Sequence, residues 1–220
     1  MSGSASETIN VLVLCDDYWH PARTAREGLA ALVSEGFRFD FVEDAGDWSA
    51  EEMAAYPVVL FTKSNDVSAQ DRSEWMTESV QHAFVDYVNN GAGLLVVHSG
   101  TAGYADAAVF RRLIGGVFEH HPPQCPVTVV PDPAKPLSDG SAPFTLQDEH
   151  YHMAYDAGDD GEAELFVTAQ SEHGTQPAGW TRTVGAGRVC VLTPGHNVEV
   201  WLHPSYQVLL RNALHWCSGG

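Results

Sequence analysis

Histidines number 11 in this chain of 220 residues, as many as lysine and arginine together. Imidazole moves protons near neutral pH and binds borderline metal ions, so the placement of these residues decides which chemistry is open. Three of them follow apolar, β-branched runs: His20 after NVLVLCDDYW, His98 at the end of GLLVV, and His196 after VCVLTPG. In open parallel sheets ligands bind outside the carboxyl ends of the strands, where residues remote in sequence converge. One such histidine is most often a hydrogen-bonding group of its loop, whereas three at equivalent strand ends point to a shared site.

A carboxylate is offered by Gln147-Asp148-Glu149-His150-Tyr151-His152. Extended backbone would send Glu149 and Tyr151 to one face and His150 and His152 to the other, and either face could supply a ligand or an acid/base pair. Histidine nitrogens with one carboxylate oxygen favour Zn2+ over Mg2+ or Ca2+, which take oxygen shells. The expected metal ligands are therefore His20, His98 and His196, with Glu149 as an added carboxylate. An open coordination position on the zinc would polarise a carbonyl or activate water. The same histidines without a metal would be hydrogen-bonding and proton-transfer groups, and at the level of sequence both arrangements stay open. In either, His98, Glu149 and His196 are the expected catalytic groups.

His120-His121 precede Pro122-Pro123 on an inserted loop, and of two adjacent side chains at most one can face a site. His82, His173 and His215 are expected to be structural. Trp180 and Arg182 share one face of a strand, and an indole beside a guanidinium can hold a sugar ring. Several familiar chemistries are excluded. The turn Val97-His98-Ser99-Gly100 lacks the first glycine of a GxSxG elbow, and no cysteine stands at 98 or 99 to act as an amidotransferase thiol. CDDYWHPAR, after the first strand, carries no GxGxxG, so neither NAD nor flavin is expected as a bound cofactor.

The elements that must position these residues are legible from periodicity. Strands are expected at 10–15, 37–42, 58–62 and 93–100, and helices at 22–35, closed by Gly36, and at 71–90, closed by Gly91. Ser49 and Glu52 have the spacing of a capping box that opens a short helix. This alternation predicts a doubly wound, mostly parallel α/β sheet with helices on both faces. The stretch 122–143, with 7 prolines around a strand-like 127–130, is expected to be a functional loop at the mouth of the fold. Later strands at 164–168, 178–183 and 188–192, the last two a hairpin, give a small antiparallel extension, and 203–216 closes the chain as a helix.

Composition agrees with one packed domain over 1–220: charged residues are 18% and hydrophobic ones 44%. Residues 1–8, small and polar, are expected to be flexible. The net charge of −18 argues against nucleic acid and anionic membranes as partners. Cys15, Cys125, Cys190 and Cys217 are scattered without CxxC spacing, so no disulfide framework is expected. The first ten residues lack the basic and apolar parts of a leader and no apolar run spans a bilayer, which reads as a soluble, cytoplasmic protein.

Five stretches, in this order and over nearly the whole chain, resemble the ThuA-like, or trehalose-utilisation, family: LLVVHSGTAGY (94–104), FRRLIGGVFEHHPP (110–123), LQDEHYHM (146–153), PAGWTRTVGAGRVCVLTPGHNVEVWLHP (177–204) and LLRNALHWC (209–217). The resemblance implies a flavodoxin-like sandwich similar to class I glutamine amidotransferases, without the amidotransferase cysteine. It also implies carbohydrate metabolism: use of trehalose and related disaccharides, often beside an NAD-dependent sugar dehydrogenase, and similarity to proteins that handle 3-keto-glycosides. Carried over by position, it marks His98, Glu149, Tyr151, His196 and His203, and it matches His20 to a histidine after the first strand. Lys135-Pro136 stands where many relatives have His-Pro. His20, Ser99, Tyr151, His152, Trp180, Arg182 and His203 are the expected substrate-binding residues. The expectation is an enzyme acting on a disaccharide, a glycoside or its 3-keto form by acid/base or metal-assisted chemistry of lyase, hydrolase or isomerase type. The alternative is a non-catalytic sugar-binding accessory protein that serves the dehydrogenase. Assembly as a homodimer stays open.

Overall fold

The first-half strands are apolar on both faces, and each face is covered by its own layer of helices. The structure, a computed structural model, describes residues 8–156 and 163–219, so all but Thr8 of the segment expected to be flexible lies outside the described residues. In chain order the elements are β1 (Ile9–Cys15), α1 (Ala22–Leu29), β2 (Phe37–Val42), α2 (Ala50–Met53), β3 (Val58–Thr62), α3 (Glu78–Asn89), β4 (Gly93–Val97), α4 (Ala108–Ile114), β5 (Gly116–His120) and β6 (Cys125–Pro131). They continue as β7 (Phe144–Asp148), β8 (His152–Tyr155), β9 (Ala163–Ser171), β10 (Gly174–Val184), β11 (Gly187–Leu192), α5 (Val198–Leu202) and α6 (Pro204–Cys217).

The main sheet runs β2-β1-β3-β4-β11-β10-β9-β6-β7. Its first five strands are mutually parallel, and from β10 onward each strand is antiparallel to its neighbour. The antiparallel extension thus carries four strands, β10, β9, β6 and β7, with β5 and β8 as a separate pair. Alternation along β1 sorts the two cores: Val11 and Val13 pack with Leu29, Trp201 and Leu210 of α1, α5 and α6. Leu12 and Leu14 pack with Met53, Phe84 and Phe110 of α2, α3 and α4. Burying aliphatic side chains on both faces contributes about 1.5–3 kcal/mol each, which explains why these strands read as continuous apolar runs.

Four expectations differ from the structure. The strand expected over 93–100 ends at Val97, and His98–Thr101 form a 3-10 turn. The helix expected over 22–35 is α1 followed by a 3-10 turn at Ala30–Glu35. The helix expected from residue 71 begins at Glu78, because Thr77 caps it with its hydroxyl on the Val80 N–H. Residues 71–77 are instead a loop that carries Arg72 to the carboxyl edge of the sheet. The Pro-rich stretch expected at the mouth builds β6 and the far edge of the sheet, since β6 finds partners in β7 and β9. The expected capping box is present in its first half, with Ser49 Oγ accepting from the Glu52 N–H. All four cysteines are buried and free. Among the described residues no helix is long and apolar enough to cross a membrane.

Candidate metal centre

Chain order in the sheet reverses between β1 and β3, and the loops that leave the carboxyl ends of β1, β4 and β11 meet beside that switch point. After β1 the backbone turns through Asp16 at φ 72° and buries Asp17. Asp17 Oδ1 accepts from the N–H groups of Trp19 (2.9 Å) and His20 (3.0 Å) and from His20 Nδ1 (2.8 Å), while Oδ2 accepts from the Ser64 N–H (2.9 Å). A carboxylate can only accept, so the His20 proton sits on Nδ1 and Nε2 is left with its lone pair. Burial would raise the Asp17 pKa, but the His20 and backbone hydrogen bonds outweigh it and lower it to about 2. Burial shifts His20 down in spite of Asp17, which keeps that imidazole neutral.

At the end of β4, His98 occupies the left-handed region at φ 45°, a position disfavoured for a residue with a Cβ, and its side chain leaves the strand end sideways. Its Nδ1 donates to the Thr193 carbonyl (2.8 Å), so here too Nε2 is bare. The ring stacks on Tyr151 with centroids 4.1 Å apart. Two residues on, Gly100 is required by packing, because a Cβ there would run into the Phe61 carbonyl oxygen.

The loop after β11 is pinned from three sides. Buried Asp148 accepts from the N–H groups of Gly195 (2.9 Å), His196 (3.0 Å) and Asn197 (3.4 Å); Trp201 Nε1 donates to the Gly195 carbonyl (2.7 Å) and the Tyr206 hydroxyl to that of Pro194 (2.6 Å). His196 is thereby turned toward Glu149. Glu149 Oε2 lies 3.2 Å from His196 Nδ1 and 3.4 Å from His98 Nε2, and Oε1 lies 3.5 Å from His121 Nε2.

His20 Nε2, His98 Nε2 and His196 Nδ1 are all buried and without a hydrogen-bond partner among the described residues. With a Glu149 oxygen they form a group whose ligand atoms all lie within 4.8 Å of one another. A buried polar atom left unpaired costs about 1–3 kcal/mol; His20 Nε2 has no partner among the described residues, and His98 Nε2 and His196 Nδ1 share only Glu149 Oε2, so an ion bound among them would satisfy all three. A borderline divalent cation fits this donor set of imidazole nitrogens and one carboxylate. The Asp17 carboxylate behind His20 and the Thr193 carbonyl behind His98 are partners of the kind that orient metal-binding histidines. Burial works against a charged His196, yet the neighbouring Glu149 carboxylate outweighs it and the pKa is raised. In return the two histidines hold the half-buried Glu149 well below the usual carboxylate range, against the effect of its burial.

A cavity of about 590 Å³ opens beside this cluster; with His20, Glu149 and His196 it is lined by Tyr151, Phe118, His121, Trp19, Asp66 and Arg72. Burial pushes the Tyr151 phenol well above its ordinary value, so it stays a donor.

The structure brings together His20, His98, Glu149 and His196, with Tyr151 on the cavity wall, and it sends the other expected residues elsewhere. His150 and His152 lie on the opposite face from Glu149, as extended backbone requires: His150 Nδ1 meets Ser171 Oγ (2.6 Å), and His152 stacks on His120 with centroids 4.6 Å apart. His203 caps α6, its Nδ1 accepting from the Ser205 N–H (3.2 Å), and stacks on Phe144. Ser99 is buried in the turn and does not line the cavity. Trp180 and Arg182 do share a face, but it is packed against the end of α4, where the indole donates to the Ile114 carbonyl (2.8 Å) and the guanidinium to that of Arg112. That pair therefore does not reach the cavity. Asp17, Trp19 and Arg72 are members of the site not picked out from sequence. The acidic pair ending β1 was the available signal for Asp17, while Arg72 was hidden inside an expected helix.

A family model described as ThuA, trehalose utilisation, matches residues 10–217. Among solved structures the chain is similar to a ThuA-like protein from Parabacteroides merdae, with TM-score 0.75 and 18% identity over 96% of this chain and 90% of that one. A ThuA-like protein from Bacteroides uniformis gives TM-score 0.74 and 19% identity, covering 98% and 94%. A cytoplasmic protein from Salmonella typhimurium LT2 gives 0.71 and 12%, covering 95% and 99%. No curated protein matches the chain.

Proposed function

This chain belongs to the ThuA family, whose role is in trehalose utilisation, and from that premise we propose that it is a metal-assisted enzyme acting on a glycoside or its 3-keto form. The observation that carries the reading is the convergence of three buried imidazole nitrogens on one carboxylate beside the cavity, which His20, Glu149 and His196 line. His20, His98, His196 and Glu149 would hold the ion, with Zn2+ the expected occupant. When bound, it would supply a Lewis acid able to polarise a sugar carbonyl or hydroxyl oxygen.

The side chains do the rest of the work. A C–H bond beside a keto group is acidic enough for a carboxylate or imidazole to remove its proton, provided the base is held within hydrogen-bond reach. Glu149 has two oxygens in different settings, Oε2 among the ligand histidines and Oε1 toward His121. Oε1 takes the proton from the sugar carbon, and the same proton, shared with His121 Nε2, passes to the departing oxygen, since His121 Nδ1 is committed to the Pro122 carbonyl. Tyr151, protonated and aligned by its stack on His98, donates to a sugar hydroxyl. Phe118, packed on Tyr151 with ring centroids 4.2 Å apart, makes this part of the lining apolar.

Turnover of 3-keto-trehalose and related 3-keto-glucosides, measured with zinc-loaded and with chelated protein, tests the reading. Loading is expected to give turnover, and Glu149→Gln to lower it by roughly 100-fold or more, in the range of a lost general base. Sugar binding that survives Glu149→Gln without any turnover in the native protein would favour a non-catalytic accessory role beside a sugar dehydrogenase. Absence of both binding and turnover across the panel would sink both.

A further inference from the structure

The cavity extends well past the reacting centre, and its outer wall is aromatic. Trp19 is 60% exposed and its neighbour Tyr18 is 52% exposed, the two rings meeting edge to face at 4.7 Å. Single exposed apolar residues are ordinary, but an exposed indole lining a cavity of this size is a binding surface. Its position is fixed relative to the metal cluster, because the Trp19 and His20 N–H groups are held by the same Asp17 oxygen. From the facing loop the Arg72 guanidinium lies 4.8 Å over the Tyr18 ring and 5.8 Å from that of Trp19. In a chain with 29 acidic residues against 11 basic ones, this guanidinium forms no ion pair among the described residues. Its donors are left to the cavity, whose lining also includes the Asp66 carboxylate.

An indole face flanked by a forked donor and a carboxylate suits one chemical class: a pyranose ring, whose axial C–H bonds form an apolar face while its equatorial hydroxyls offer paired acceptors and donors at the rim. We propose that Trp19 and Arg72 hold the second, non-reacting ring of a two-ring glycoside, and so make the protein selective for a disaccharide over a one-ring glycoside. The first ring lies at the floor, against His20, Glu149 and His196; the second lies one ring farther out, on Trp19. The inference rests on the reading of the floor as the reacting centre. It places the indole and guanidinium expected of a sugar site at Trp19 and Arg72, where Trp180 and Arg182 do not reach.

The test compares kcat/KM for 3-keto-trehalose with that for methyl 3-keto-α-glucoside on zinc-loaded protein. Native protein is expected to prefer the disaccharide by about tenfold or more, the scale of one aromatic stacking contact plus a charged hydrogen bond. Trp19→Ala and Arg72→Gln are each expected to bring the ratio within about threefold, and Trp19→Phe to restore part of it. Val33→Ser, which removes an exposed apolar side chain elsewhere, is expected to keep the native ratio. Zinc content is measured on every variant, and Trp19→Ala that retains its zinc acts through the subsite, while loss of zinc would show it acting through His20 and overturn the proposal. A native ratio near one, or an unchanged ratio in both Trp19→Ala and Arg72→Gln, overturns the subsite while leaving the reacting centre intact. Protein inactive on both sugars overturns the reading of the centre and the subsite with it.

Discussion

Asp17 is the residue on which most of the site's geometry depends, although it touches no cavity. Four donors converge on its two oxygens, and one of them sets the His20 tautomer that leaves Nε2 bare. Its folded pKa of about 2 lies below the model-peptide value of 3.8, so the charged form stabilises the fold by about 2 kcal/mol. The sign follows from the depression: the contribution is complete above the unfolded value and is lost as pH falls from about 5 through 2. Urea unfolding of native protein and Asp17→Asn, followed from pH 7 to pH 3, is expected to show the variant less stable at pH 7 and the gap narrowing toward acid. A gap constant across that range would mean that Asp17 acts through shape alone. The same variant leaves His20 without its carboxylate, and zinc affinity is expected to fall by about 10–100-fold, as for other partners behind a metal ligand. Competition with a chelator of known affinity measures it.

At the scale of elements, what was legible is what local pattern dictates. The apolar runs of β1, β3, β4 and β11 and the Gly-closed ends announced both the sheet and the edge on which His20, His98 and His196 meet. Alternation through Glu149 and Tyr151 was legible for the same reason. Long-range pairing is not: β6 finds β7 and β9, which no local period encodes, so the Pro-rich stretch reads as a loop around one strand-like segment rather than as part of the main sheet. The start of α3 was missed because Trp75 and Met76 continue its apolar spacing, yet Asn65 Oδ1 takes the Met76 N–H and Trp75 packs on Phe61 and Trp48, holding the segment open. Alternation puts Trp180 and Arg182 on one face, as the structure has them, but that α4 covers this face is a long-range contact that no local pattern shows. The turn after β4 makes a sharper prediction. Gly100 has no room for a Cβ beside the Phe61 carbonyl, and that obstacle is backbone. Gly100→Ala is expected to destabilise the protein by about 1–3 kcal/mol, as overpacking does, and to lower zinc occupancy by displacing His98. Urea unfolding and elemental analysis read the two effects; a full-strength zinc site in a destabilised variant would separate the turn from the ligand it carries.

Across the whole molecule, the four residues proposed to hold the ion come from positions 20, 98, 149 and 196, so the site ties together segments that span most of the chain. None of this ligand geometry exists in the unfolded chain, and an ion bound only by the folded state adds its binding free energy to folding. The net charge of −18 raises the cation concentration around the protein but selects no ion and no place. Selection is left to the bare nitrogens. At free zinc about 100 times its dissociation constant, the folded state gains about 2.7 kcal/mol. For a domain of this size each kcal/mol moves the melting temperature by about 2–4 °C, which gives a rise of about 5–10 °C. Chelation is expected to reverse it, and Val33→Ser to show it in full. His98→Ala removes one imidazole and leaves Glu149 Oε2 facing His196 alone, so its melting temperature is expected to be insensitive to zinc. The surface also carries the stacked pair His120 and His152, where a second imidazole cluster could capture zinc weakly. A shift that persists undiminished in His98→Ala but disappears in His152→Ala would move the bound ion to that surface pair and remove the metal from the proposed chemistry.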